Sequence, residues 1–187
     1  MPLADKIRPA VLSDVVGQTH LIGEGKPLRR VIESGKIPNM IFYGPSGVGK
    51  TTVARIIAES ANMRLHKLNG TSASTADIKG IVSEIDTFLG CNGILLYLDE
   101  IQYLNKKQQQ SLLEYIEDGS ITLIASTTEN PYFYVYNAIL SRSTVFEFKP
   151  VMPDEMEKAV RRGFAEIGRE NGTEYDISDE AVQYICH

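Results

Sequence analysis

One short glycine-rich segment restricts the fold of this chain more than any other feature. Residues 44–52 read Gly-Pro-Ser-Gly-Val-Gly-Lys-Thr-Thr, between a strand predicted over Asn39–Tyr43 and a helix predicted over Lys50–Ala61. Glycines let successive backbone N–H groups turn toward phosphate oxygens, and the helix directs its positive end at the same place. The segment predicts a phosphate-binding loop. The alternative, an ordinary glycine-rich turn, is disfavoured by the strand–loop–helix context.

Particular residues of this loop have predicted roles. Lys50 would place its ammonium group on the β- and γ-phosphates of a nucleotide, and the Thr51 hydroxyl would ligate Mg²⁺. The predicted nucleotide-binding residues of the loop are Gly44, Pro45, Ser46, Gly47, Val48, Gly49, Lys50, Thr51 and Thr52.

Two acids follow a second apolar strand, which is predicted over Gly93–Leu98. We expect this strand to lie beside the phosphate-loop strand, so that both carboxylates reach the sheet edge where ligands bind. Asp99 would then hold Mg²⁺, and Glu100 would orient and polarise a water that attacks the γ-phosphate. The alternative is an Asp-Glu pair that caps the next helix. A nucleoside-monophosphate kinase is disfavoured, because the sequence shows no lid with several arginines.

Two further residues are candidates for the same reaction. Thr128 follows a strand predicted over Ile121–Ala125, and its hydroxyl could bond the attacking water or the γ-phosphate; a β-turn before Pro131 is the alternative. Arg142 follows an apolar helical turn and is either a surface charge or an arginine finger that reaches a neighbouring subunit's phosphates.

The remaining pattern predicts an α/β fold with a parallel sheet flanked by helices, because strands and helices alternate. The other predicted elements are strands over 64–68 and 144–148 and helices over 24–33, 74–88 and 106–116. Prolines 150 and 153 mark a boundary between a nucleotide-binding domain (1–150) and the start of a helical lid (151–187), whose helices are predicted over 154–168 and from 178 onward.

Composition limits the possible partners and the compartment. The formal net charge of −5 means that any nucleic-acid contact must come from a local patch. The two cysteines have neither metal-ligand spacing nor a disulfide framework, and no run is apolar enough to cross a bilayer. We therefore expect a cytoplasmic protein without a membrane partner, associated with the nucleoid if it is bacterial.

Together these motifs resemble the AAA+ ATPases of the clamp-loader clade, and most closely the replication-associated recombination protein A family (RarA, also called MgsA), which is related to the Werner-helicase-interacting ATPase. The residues that carry the resemblance are Pro2–Pro9, Val16–Gln18, Gly25–Leu28, Gly44–Thr52, Leu98–Glu100, Ser126–Pro131 and Leu140–Arg142.

The resemblance implies a P-loop NTPase (AAA+) fold and a Mg²⁺-dependent ATPase in replication-fork maintenance, recombination and repair. It places Ile7, Val16 and Gly17 near the adenine, Thr128 at the sensor position and Arg142 as the finger acting in trans. It also implies contact with DNA and single-strand-binding protein, and a homo-oligomer in the full-length form. The alternatives are a clamp-loader or Holliday-junction-motor subunit, and an assembly switch that binds ATP without turnover.

The chain also departs from the family pattern. The family's lid, its second sensor arginine and its oligomerisation region continue beyond position 187, so we expect a fragment that is weak or inactive alone. The run 132–136 is unusually aromatic. Its rings would either stack on exposed bases or, as the favoured alternative, pack against a neighbouring helix or subunit.

The resemblance also points to a DNA-facing segment. By that resemblance residues 69–75 would face DNA phosphates, with charge added by Lys79, Lys106 and Lys107. The favoured alternative is helix capping by Ser74 or Thr75, with solvated lysines.

Overall fold

A computed structural model describes residues 3–85 and 92–186. Its centre is a five-stranded sheet in the order β2-β3-β4-β1-β5, with every neighbouring pair parallel. The strands are β1 (Met40–Tyr43), β2 (Arg64–Asn69), β3 (Ile94–Asp99), β4 (Ile121–Thr127) and β5 (Thr144–Glu147). The predicted fold class, a parallel α/β sheet, is confirmed.

One expectation about the sheet is wrong. The strand that ends in the two acids, β3, does not lie beside the phosphate-loop strand β1, because β4 is inserted between them. Residues 40–43 pair with 124–127 of β4, and residues 94–98 pair with 121–125 on its other side. The carboxyl ends of all three strands still meet at one edge, where open α/β sheets bind ligands.

The helices are α1 (Leu3–Lys6), α2 (Thr19–Ile22), α3 (Pro27–Glu33), α4 (Lys50–Ser60), α5 (Thr75–Val82), α6 (Lys106–Glu117), α7 (Pro131–Tyr134), α8 (Asn137–Leu140), α9 (Pro153–Asn171) and α10 (Asp179–Cys186). Helix α3 begins later than predicted, because Pro27 occupies its first turn. Helix α5 ends at Val82 rather than 88; positions 86–88 of that prediction lie outside the described residues.

Apolar side chains cover both faces of the sheet. Alternate residues of β3 point in opposite directions, so Leu95 and Tyr97 join a cluster with α4, whereas Leu96 and Leu98 join a second cluster with α6. The near-continuous apolar run of β3 follows from burial on two sides. Among the described residues, no helix is long and apolar enough to span a membrane.

A buried glutamine of α6 bonds main-chain groups beside the second cluster, the one that includes α6. Gln109 of α6 is only 3% exposed. Its Nε2 donates to the carbonyls of Leu104 (3.1 Å) and Tyr134 (3.3 Å), and its Oε1 accepts from the N–H of Tyr136 (2.8 Å). One side chain thus satisfies three main-chain groups of two loops and fixes α7 against α6.

We predict that Gln109→Leu lowers the free energy of unfolding by about 2–4 kcal/mol, because each buried main-chain group left without a partner costs about 1–3 kcal/mol. Urea unfolding measures the change. The matched control is Gln110→Leu, since Gln110 is exposed and reaches only the Tyr136 hydroxyl. Equal effects of the two substitutions would show that Gln109 is not a structural tie.

Candidate active site

The phosphate loop joins β1 to α4 and begins in a crowded position. A Cβ at Gly44 would lie 2.1 Å from the carbonyl oxygen of Phe148, and its φ is +146°. Only glycine fits there without displacing the backbone of the segment after β5. Helix α4 then begins at Lys50, so its N-terminus faces the loop as the sequence predicts.

Lys50 is the buried cation of this loop. Its Nζ donates to the carbonyls of Gly44 (2.6 Å) and Pro45 (2.7 Å). Burial lowers the pKa of Lys50, and the nearby Glu100 and Asp99 carboxylates oppose that shift. The ammonium therefore lies inside the loop and within the field of both acids, where a phosphate group would compensate its lost hydration.

The two predicted metal ligands, Thr51 and Asp99, are linked through hydrogen bonds to the hydroxyl of Tyr97. Thr51 Oγ1 donates to the Tyr97 hydroxyl (3.0 Å), which lies 3.4 Å from Asp99 Oδ1, and the Ser126 hydroxyl also donates to Asp99. Burial raises the pKa of Tyr97 to about 12, so the phenol remains a neutral donor. The oxygen-only set of Thr51 and Asp99 fits a hard cation such as Mg²⁺.

Glu100 is held in a strained position by several contacts. Its φ and ψ, 55° and 52°, are left-handed, which is uncommon for a residue other than glycine. Its Oε2 accepts from Gln102 (2.5 Å) and lies 3.5 Å from Thr128 Oγ1. A Cβ at Gly70 would lie 2.2 Å from the carbonyl oxygen of Glu100, so the end of β2 packs directly against the main chain of Glu100. Glu100 and Thr128 are thus neighbours, as their predicted roles require.

Two adjoining clefts surround the loop. The polar cleft is lined by Arg8, Ser46, Gly47, Gly49, Lys50, Thr51, Thr52, Tyr97, Asp99 and Glu100. The apolar cleft, of about 540 Å³, is lined by Ile7, Arg8, Pro9, Val15, Val16, Pro45, Ser46, Gly47, Val48, Gly49, Thr52, Pro150, Val151, Met156, Ala159 and Arg162. Such a volume accommodates a nucleoside.

The N-terminal segment supplies one wall of the apolar cleft. Ile7 and Val16 line it, as the resemblance implied. Gly17 lines neither cleft; a Cβ there would lie 3.1 Å from Val151 Cγ2 and would crowd the segment just before α9. Arg162 of α9 donates to the carbonyl of Asp14 (2.8 Å), which ties this wall to α9.

Gln18 connects the phosphate loop to the segment that leads to α9. It is buried and left-handed (φ 58°). Its amide pairs with Lys149 through both the carbonyl (2.6 Å) and the N–H (2.9 Å), and it also reaches the Val48 carbonyl (3.3 Å). Gln18 therefore links the main chain of the phosphate loop to the main chain just before α9.

Arg142 lies apart from both clefts. Its Nη2 forms an ion pair with Glu117 at the end of α6 (2.5 Å), and its Nη1 donates to the Ala138 carbonyl (2.9 Å). Both side chains of this pair are partly exposed, so the pair contributes about 0–1 kcal/mol and can be exchanged. The structure does not bring Arg142 to the phosphate loop of its own chain.

In the predicted DNA-facing turn, the polar side chains form hydrogen bonds within the turn and with the first residues of α5. Ser74 accepts from the N–H of Asp77, and Asp77 returns a bond to the N–H of Ser74, which completes a capping box. The capping alternative therefore describes Ser74. Asn69 Oδ1 likewise accepts from Thr71 within the turn.

The aromatic run behaves differently from its favoured alternative. Val135 is buried and Tyr136 is half-buried, but Tyr132, Phe133 and Tyr134 are exposed. Packing of those three rings against a neighbouring helix of the same chain was therefore wrong, whereas packing against a neighbouring subunit stays a prediction.

Sequence reasoning missed three functional neighbours. Tyr97 had a usable signal, because residues two apart on a strand share a face and Tyr97 precedes Asp99 by two. Ser126 had none without the strand order, since β4 had to be adjacent to β3. Gln102 reaches Glu100 only because the chain turns left-handed between them.

Comparison with known proteins gives a consistent result. The model of the ATPase family associated with various cellular activities (AAA) matches residues 40–151. Replication-associated recombination protein A of Haemophilus influenzae is 43% identical over 98% of this chain and 42% of its own length. The protein of that name from Bacillus subtilis is 36% identical over 100% of this chain and 44% of its own length.

Solved structures show the same fold. A RuvB variant from Thermotoga maritima is 25% identical, with a TM-score of 0.78 over 96% of this chain and 59% of that one. The Thermotoga maritima RuvB Holliday junction branch migration motor, 24% identical, has a TM-score of 0.76. The chain spans less than half the length of the two curated relatives above.

We predict that Gly70→Ala lowers the free energy of unfolding by about 1–3 kcal/mol, the usual cost of overpacking, because the new Cβ would collide with the Glu100 carbonyl. Gly80 of α5 is the matched control: a Cβ there meets nothing within 4 Å, so Gly80→Ala should stabilise by about 0.5–1 kcal/mol. Urea unfolding distinguishes the two. A neutral Gly70→Ala would mean that β2 does not support Glu100.

Proposed function

Because the chain belongs to the ATPase family associated with various cellular activities, we propose that it is a Mg²⁺-dependent ATP hydrolase module that acts on DNA in replication-fork maintenance, recombination and repair. One observation carries the proposal: Lys50, Thr51, Asp99 and Glu100 line one polar cleft beside an apolar cleft of nucleoside size. The division into a nucleotide-binding domain (1–150) and the start of a lid (151–187) belongs to the same proposal.

The nucleotide would lie across the two clefts. Ile7 and Val16 would pack on the base, and the loop N–H groups with the Lys50 ammonium would hold the β- and γ-phosphates. When bound, Mg²⁺, held by Thr51 and Asp99, neutralises phosphate charge. The neutral Tyr97 phenol fixes Thr51 relative to Asp99, so this part of the site is organised by the chain itself.

Glu100 would act on the attacking water. Gln102 and Thr128 both reach Oε2, and among the described contacts no hydrogen bond engages Oε1. That oxygen is therefore available to accept a hydrogen bond from the water and to draw off its proton. Thr128, beside Glu100, would bond the same water or the γ-phosphate.

Arg142 would serve the nucleotide of a neighbouring subunit. It lines neither cleft of its own chain, and its exposed ion pair with Glu117 is weak enough for a phosphate to compete. A homo-oligomer in which one subunit's Arg142 meets the next subunit's loop is thus part of the proposal. A cytoplasmic location, with a nucleoid association if bacterial, and contact with single-strand-binding protein rest on the family resemblance.

A second candidate is a Holliday-junction motor or clamp-loader subunit, which the similarity to RuvB supports. A switch that binds ATP without turnover is the candidate of another class. Turnover that rises with added DNA would favour the hydrolase; tight ATP binding with no turnover would favour the switch.

We predict that Lys50→Ala weakens ATP binding by about 10- to 150-fold, since charge-assisted bonds to phosphate contribute about 1.5–3 kcal/mol. Titration with a fluorescent ATP analogue measures the loss. The control is Lys36→Ala, an exposed lysine outside both clefts. If Lys50→Ala binds as well as the parent, the loop is not the phosphate site.

In the full-length protein, we predict that Glu100→Gln retains ATP affinity but loses turnover, because the amide keeps the size and polarity of the side chain without its basicity. Arg142→Ala should lower turnover by about 10³- to 10⁵-fold, as expected for a lost finger. The control is Arg169→Ala, which pairs only within α9.

Mixing the two inactive variants tests the trans arrangement. Glu100→Gln with Arg142→Ala should recover turnover where an intact Glu100 meets an intact Arg142 of the neighbour. Turnover per chain should also rise with protein concentration. If turnover does not recover, and if turnover per chain does not depend on protein concentration, the trans finger is contradicted.

A further inference from the structure

An exposed group of aromatic rings lies next to the reaction residues. Tyr132, Phe133 and Tyr134 of α7 are 64%, 82% and 50% exposed, and Tyr103 is 63% exposed. Tyr103 belongs to a 3-10 turn (Ile101–Tyr103) whose Cα atoms lie within 8 Å of those of α7. We call these four residues the aromatic surface. Several large apolar groups left in solvent within one segment mark a candidate interaction site.

The aromatic surface stands on a fixed backbone. Pro131 is buried at the first position of α7, and the Asn130 side chain accepts from the Tyr132 N–H (3.0 Å). Buried Val135 anchors the other end, and Gln109 holds the Tyr134 carbonyl. Because the segment is already ordered, a ligand that docks here incurs little ordering cost.

Two lysines lie near Tyr136, which follows the aromatic surface by two positions in the chain. Exposed Lys106 and Lys107 begin α6, and Lys106 Nζ is 5.2 Å from the centre of the Tyr136 ring. Gln108 of the same turn bonds the Ala73 carbonyl (3.2 Å) just before α5, so the N-termini of both helices are held together. The exposed acid Glu129 precedes α7, so phosphates are expected on the lysine side of the surface.

Rings and cations together select one class of ligand. Bases of a single strand stack on aromatic side chains while its phosphates meet lysines. In a duplex the base faces are already stacked on one another, so exposed tyrosine and phenylalanine rings gain nothing from it. Resting on the proposed function, we propose that the aromatic surface binds single-stranded DNA by base stacking.

The same contact would reach the reaction residues. The Tyr103 N–H donates to the carbonyl of Glu100 (3.1 Å), and Tyr132 follows Thr128 by four positions. Single-stranded DNA on the aromatic surface would thus contact the two segments that carry Glu100 and Thr128. Bound single strand is expected to change the turnover of ATP.

The test measures fluorescence anisotropy of a labelled oligothymidine and of a labelled hairpin duplex. Phe133→Ala should weaken single-strand binding by about 5- to 150-fold and leave duplex binding unchanged. Tyr184→Ala is the matched control, because Tyr184 is 88% exposed but lies on α10. Lys106→Gln with Lys107→Gln should reduce the slope of log K against log salt by about 1.4.

The outcomes separate this inference from the proposed function. Unchanged single-strand affinity of Phe133→Ala overturns the inference, while ATP binding by the parent leaves the hydrolase proposal standing. A change in sedimentation without a change in DNA affinity also overturns it, because the surface then contacts a second copy of the chain. A parent that binds no single strand at low salt overturns the inference together with the DNA part of the proposed function.

Discussion

At Gly44 the main chain passes so close to Phe148 that a side chain is excluded, since a Cβ would stand 2.1 Å from the Phe148 carbonyl oxygen. The Gly44 N–H donates to the Thr127 carbonyl (3.1 Å), and the Phe148 N–H donates to the Tyr43 carbonyl (2.7 Å). The ends of β1, β4 and β5 are therefore bonded together where the phosphate loop departs. This close contact sets where the phosphate loop leaves the sheet.

Insertion of β4 between β1 and β3 gives the site its composition. Ser126 reaches Asp99 and Thr128 reaches Glu100 because β4 runs parallel to β3 and ends at the same edge. The polar residues that follow a buried strand lose hydration and gain these partners instead. Three strands thus each contribute one part of the site: the loop, the acids and the hydroxyls.

The apolar cleft depends on contacts that are distant in sequence. Gln18 pairs with the main chain of Lys149, and Arg162 holds the carbonyl of Asp14. The N-terminal wall, the loop and α9 are consequently one connected unit around the cleft. Movement of α9 relative to the sheet would alter the cleft at both its N-terminal wall and its loop.

The sequence by itself determined the local elements: the glycines, Lys50 and Thr51 of the loop, the two acids after an apolar strand, and the parallel α/β class, because these follow from spacing and periodicity. It did not determine the order of the strands, so the contact of Ser126 with Asp99 was missed and β3 was placed beside β1. It did not give the exposure of Phe133 or the pairing of Arg142 with Glu117. Only the tertiary structure decided these, because hydrogen-bond pairing between strands and burial between elements depend on which distant segments meet.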